Sequence, residues 1–226
     1  HSFPKNPLDE NGVPNYEVLA ALDLHNLKTD LNDLLEGKEI FKRKNLFNGH
    51  GGVQSETKSK LAENEFIIIE GIHGVNPKVV NMIGADKTFR IFVAPFNLIH
   101  IDRHHYIRNS DCRLIRRMVR DYKFRNHGAE GTLDMWQGVR YSEEVNIFPF
   151  LHECDFIFNT SLIYELPVLI KYIRILLLEI DESNPHFSKV EKLIFITSLF
   201  FEFDDDRKVP GISFLREFIG DSDFDY

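Results

Sequence analysis

The chain has 226 residues, a formal net charge of -8, 43% hydrophobic residues and two cysteines, Cys112 and Cys154. That length suits one α/β domain, alone or with a helical extension. The acidity counts against a nucleic-acid or membrane surface, and the lack of a disulfide framework points to a reducing, cytoplasmic setting.

In chain order, the spacing of apolar residues predicts a helix near residues 15–36. A polar, glycine-containing stretch follows over 42–60. Residues 66–69, Phe-Ile-Ile-Ile, form a short all-apolar, β-branched run, the pattern of a buried parallel strand. This run leads into Glu70-Gly71-Ile72-His73-Gly74. Ligands of open α/β sheets bind beyond the carboxyl ends of strands, so Glu70 is a candidate for holding Mg²⁺ or the hydroxyl being phosphorylated. His73 is close enough to that strand end to reach a substrate, although a loop histidine also serves local hydrogen bonding. A short helix is expected from Pro77, a strand over 88–94, and a basic region over 98–108.

Residues 111–125 carry the most informative pattern. Read as a helix, Arg113, Arg116, Arg117 and Arg120 fall at i, i+3, i+4 and i+7. Ile115, Met118, Val119 and Tyr122 repeat the spacing two residues on, so they are expected to dock the helix on a body. Guanidinium forks match phosphate oxygens. The plainer alternative is a basic face paired with acids elsewhere. A helix near 130–145, a strand at 155–159 and helices over 162–180 and 185–203 complete the chain. The last two read as a hairpin covering the sheet or another subunit, which leaves a homo-oligomer open. The charges inside 162–180 exclude a membrane span. Met135, Trp136 and both cysteines read as packing residues. Asp204-Asp205-Asp206 reads as a solvated turn.

Taken together, Glu70-Gly71-Ile72-His73-Gly74, the Asp111–Asp121 run D-x-R-L-I-R-R-x-x-R-D, and Asn159-Thr160-Ser161-Leu162 with Tyr164-Glu165-Leu166 resemble the uridine kinase and phosphoribulokinase family of P-loop kinases. The ending, Val209-Pro210 through Arg216-Glu217-Phe218-Ile219-Gly220, resembles larger bacterial-type members. The resemblance implies an α/β fold with a P-loop NTPase-like parallel sheet, flanking helices and a helical C-terminal hairpin. It implies a single domain over 1–226, with an α/β portion at 1–160 and a helical extension at 161–226.

The implied activity is ATP- and Mg²⁺-dependent phosphoryl transfer to a hydroxyl of a nucleoside, such as uridine or cytidine, or of a sugar phosphate. By the same resemblance Glu70 helps hold Mg²⁺, and Arg113, Arg116, Arg117 and Arg120 form a lid over substrate and phosphates. Phe47 and His50 fall in a loop loosely similar to the family's nucleoside-contacting loop. The family's Walker A loop is not matched: Gly52-Val53-Gln54-Ser55-Glu56-Thr57-Lys58-Ser59 has the wrong spacing. The resemblance therefore places the first βαβ segment upstream of His1. A chain truly lacking that segment would instead be a non-catalytic nucleotide- or partner-binding relative.

Overall fold

A computed structural model describes residues 7, 8, 12, 18–46 and 51–224; at 44–46 and 51–54 it describes the backbone alone. The protein is an α/β chain with a small parallel sheet and a helical C-terminal portion. It divides into two compact units. One comprises residues 1–92 and 139–157, the other 93–138 and 158–226.

In the first unit, helix α1 (Leu24–Leu35) starts at Asp23, whose carboxylate accepts the backbone N–H of Asn26 at 3.0 Å. This satisfies one of the amides that a helix start leaves without a partner. The helix stops at Gly37, which has a φ of 74° and donates to the Leu34 carbonyl at 2.9 Å. Glycine adopts this left-handed conformation without steric cost. Strands β1 (Ile40–Leu46) and β2 (Gly51–Ser59) follow as an antiparallel pair, with Ile40 opposite Ser59. Arg43 ties β1 to α1 through Asp30 at 2.8 Å. The described parts of the polar, glycine-containing stretch 42–60 are thus paired strands, which its sequence did not announce. Its sequence lacks apolar alternation, and its pairing rests on backbone hydrogen bonds. The rejected phosphate-loop string at 52–59 lies within β2.

Residues 66–69 correct an expectation. They form no strand, and Phe66 and Ile68 are 81% and 78% exposed. A parallel strand is stable only when neighbours satisfy its amides and carbonyls. Among the described residues, β1 pairs with β2, and β3 (Ile91–Ala94) pairs with β4 (Phe156–Asn159). The β3–β4 pair is parallel: Phe156 donates to Arg90 and Thr160 to Ala94, so both strands advance together. The short helix α2 (Pro77–Val80) begins where Pro77 predicts it, capped by Asn76. The boundaries of the two units fall within β3, α4 (Ala129–Asn146) and β4.

The second unit is built on three long helices. Helix α3 (Asn109–Phe124) packs on α5 (Glu165–Leu178), and α5 packs on α6 (Phe187–Ser198). The α5–α6 hairpin therefore takes α3 as a packing partner. Leu114, Ile115, Met118, Leu169, Ile173 and Leu193 are among the fully buried side chains. A four-residue helix, α7 (Arg216–Ile219), packs on α3 as well. The guanidinium of Arg216 holds this ending together by donating to the carbonyls of Asp206 at 2.8 Å and Val209 at 2.6 Å. Trp136 is buried, as its packing reading expects, whereas Met135 is exposed and does not serve as a packing residue. No described helix is long and apolar enough to cross a membrane.

Candidate active site

The arginine pattern does form one continuous helix, α3, but its surroundings differ from the open basic face expected. From Asp111 to Asp121 most of α3 is covered, because α5 and α7 both pack on it. Tyr122 lies outside the packed stretch and is 52% exposed, so it does not anchor the helix. Leu114 takes that role and is completely buried.

The arginines fall into distinct environments. Arg116 is only 7% exposed and donates to the carboxylate of Glu165, which is fully buried at the first residue of α5. Its guanidinium also donates to the Thr160 carbonyl at 3.0 Å and stacks on Phe214 and Phe218, with centroid distances of 5.1 and 5.6 Å. Arg117 lies 3.3 Å from Asp121, and Arg125 approaches the same carboxylate at 3.3 Å. Arg120 is 3.8 Å from Asp121 and 3.0 Å from Glu217 of α7. Arg113 is half-buried on the same helix. Asp121, almost fully buried, thus gathers three guanidinium groups and orients them.

Acids therefore pair with Arg116, Arg117 and Arg120, as the plainer of the two readings anticipates. Three guanidinium groups around Asp121 and Glu217 still outnumber those two carboxylates.

Neighbouring groups show the same dense pairing. Asp111, buried in the first turn of α3, accepts from Lys192 of α6. Lys123 donates to the Ile219 carbonyl and lies 4.5 Å above the Tyr172 ring. Burial is the leading influence lowering its pKa. The Tyr172 hydroxyl donates to Asp206; burial first, and this contact second, push its pKa up. Cys112 is buried against the Asn97 amide, and burial pushes its thiol up to about 11. Both cysteines are free thiols.

Glu70 and His73 belong to the first unit. Glu70 is exposed, at the end of the extended run 66–69. Gly71, with a φ of 152°, starts a tight turn in which Gly74 donates to the Gly71 carbonyl at 3.0 Å. A Cβ on Gly74 would come within 3.2 Å of that oxygen, so the second glycine permits the close approach. His73, expected within reach of a substrate or in a local hydrogen-bonding role, is buried, only 5% exposed. Phe47 and His50 lie outside the described residues. Among the described residues, no three acidic, histidine or cysteine side chains are grouped to hold a metal ion. Glu70, expected as a metal ligand, stands as a lone exposed carboxylate, which fits Mg²⁺ only with phosphate oxygens and waters as the other ligands. A surface concavity of about 450 Å³, lined by Leu34, Leu61, Phe66 and Ile67 among others, contains none of the expected site residues.

The chain thus carries a parallel strand pair, an exposed carboxylate that precedes a glycine turn, and a helix whose arginines are oriented by acids. The profile of the Phosphoribulokinase / Uridine kinase family matches residues 9–163, and the chain belongs to that family. A curated relative described as a uridine kinase, from Halobacterium salinarum, is 26% identical over 153 residues. The match covers 67% of this chain and 60% of the relative, so the chain spans about three fifths of that protein's length. The family match includes Glu70 and α3. It ends before Glu165 and Glu217, the acids that pair with Arg116 and Arg120.

Proposed function

We propose that the protein transfers the γ-phosphoryl group of ATP to a hydroxyl of a nucleoside or a sugar phosphate, with uridine or cytidine as the leading acceptors. The observation that carries this reading is the family match over residues 9–163, which takes in the Glu70 loop and the arginine helix. The similar Halobacterium salinarum protein bears the name uridine kinase.

In this reading the chain supplies positioning and charge. Phosphoryl transfer depends mainly on aligned oxygens and on neutralising the charge of the transferring group. Glu70 would be one ligand of a Mg²⁺ ion, which would help neutralise the phosphate charge. Arg113, Arg117 and Arg120 would face the phosphates, and Asp121 orients two of them. Arg116, enclosed by Glu165 and two phenyl rings, anchors the helix instead. His73, Phe47 and His50 stand as acceptor-side candidates.

The test is a kinase assay on the native protein with Mg·ATP and a panel of uridine, cytidine and ribulose 5-phosphate. ADP formation that depends on one of these acceptors is the expected result. Tight nucleotide binding without turnover on any acceptor would replace this reading with that of a non-catalytic nucleotide-binding relative. No binding at all would overturn both.

A further inference from the structure

The arginines of α3 differ in how firmly their acids are held, and the difference has a functional consequence. Arg116 is locked. Releasing it would strand the buried carboxylate of Glu165 and uncover the guanidinium from Phe214 and Phe218. Arg120 is held more lightly. Its side chain is 25% exposed, and its partner Glu217 is 39% exposed, with one oxygen at 3.0 Å. Part-exposed, single-point pairs of this kind are weak, whereas a phosphate offers a guanidinium two charge-assisted hydrogen bonds.

We infer that Glu217 is a built-in competitor for the arginine face: its carboxylate occupies Arg120 until an oxyanion of the nucleotide displaces it. The inference rests on the reading that α3 faces phosphates. Three observations support the exchange. The Asp121 cluster keeps an excess of positive charge with Glu217 in place, so an incoming anion is favoured. The backbone of α7 need not move, because Arg216 fixes it to the carbonyls of Asp206 and Val209, and Phe218 is buried; only the Glu217 side chain has to swing outward. Finally, Arg120 lies within the family-matched segment and Glu217 beyond it, so the competitor is supplied by the C-terminal portion.

The test is titration of the native protein with ADP, and separately with inorganic pyrophosphate, at low ionic strength. Glu217→Gln should tighten both about two- to fivefold, the size of a part-exposed ion pair converted to affinity, and the gain should shrink as salt rises. In an Arg120→Ala background, the same change at Glu217 should have no effect. Glu182→Gln, an exposed acid elsewhere, should leave affinity unchanged, and circular dichroism verifies that each variant folds.

Unchanged or weaker binding in Glu217→Gln, with the parent protein still binding ADP, would overturn the competitor role while leaving the kinase reading intact. Tightening that persists in the Arg120→Ala background would also overturn it, showing a general charge effect. Failure of the parent protein to bind either ligand would overturn the kinase reading, and this inference with it.

Discussion

Arg116→Ala tests most directly whether α3 is anchored through its charged residues. The substitution removes the partner of Glu165, a carboxylate that is fully buried at the start of α5. Breaking one side of a buried ion pair costs about 3–5 kcal/mol, mostly from the uncompensated charge left behind. Two ring contacts are lost as well, each worth about 0.5–1 kcal/mol, although Phe218 keeps Arg120 at 5.9 Å. A loss of about 4 kcal/mol is therefore expected. For a chain of this length it corresponds to a fall in Tm of roughly 8–16 °C.

Urea unfolding followed by circular dichroism measures the change. The double variant Arg116→Met with Glu165→Leu should recover most of the loss, because it removes both charges and keeps the volume apolar. The reasoning is refuted if Arg116→Ala costs less than about 1 kcal/mol. It is equally refuted if the double variant is no more stable than the single one.

Three further outcomes follow from the same geometry. Arg117→Ala should weaken ADP binding with little change in Tm, whereas Met118→Asp, which buries a charge in the core, should unfold the second unit first; thermal melts and nucleotide titration of both variants separate the two roles. In the native protein, Glu70→Gln should lower any kinase kcat by about 10² if that carboxylate is a metal ligand, and unchanged turnover at saturating Mg²⁺ would remove it from the site. Cys112, whose thiol burial pushes up from about 9 to about 11, should resist alkylation at pH 8 until the protein unfolds. Since its folded pKa is the higher, its contribution to stability is complete below pH 9 and is lost as pH rises from about 9 to about 11. Rapid labelling of Cys112 in the folded state, read by mass spectrometry, would contradict its burial.

Helices with strong periodicity were legible from the chain alone. The arginine helix, α4 and the α5–α6 hairpin lie close to their expected bounds, because apolar residues at helical spacing bury one face wherever the helix docks. The α2 start at Pro77 and strands β3 and β4 were legible too, as proline favours a first helical turn and short β-branched runs favour strands. The family was legible in the order of short motifs. The β1–β2 hairpin was not, because its sequence is polar and its pairing is made by backbone groups common to every residue. The run 66–69 misled for the converse reason: its composition is that of a buried strand, but a strand exists only where partners receive its hydrogen bonds.

The arginines show most clearly what tertiary structure alone decided. Their common face is a property of helical spacing, so the sequence places them together. Which of them is anchored and which exchangeable depends on Glu165, Phe214, Glu217 and Phe218, 49 to 102 positions away in the chain from the arginines they meet. No local pattern encodes such a pairing, because the energy of a charge is set by its burial and by the groups that folding brings against it.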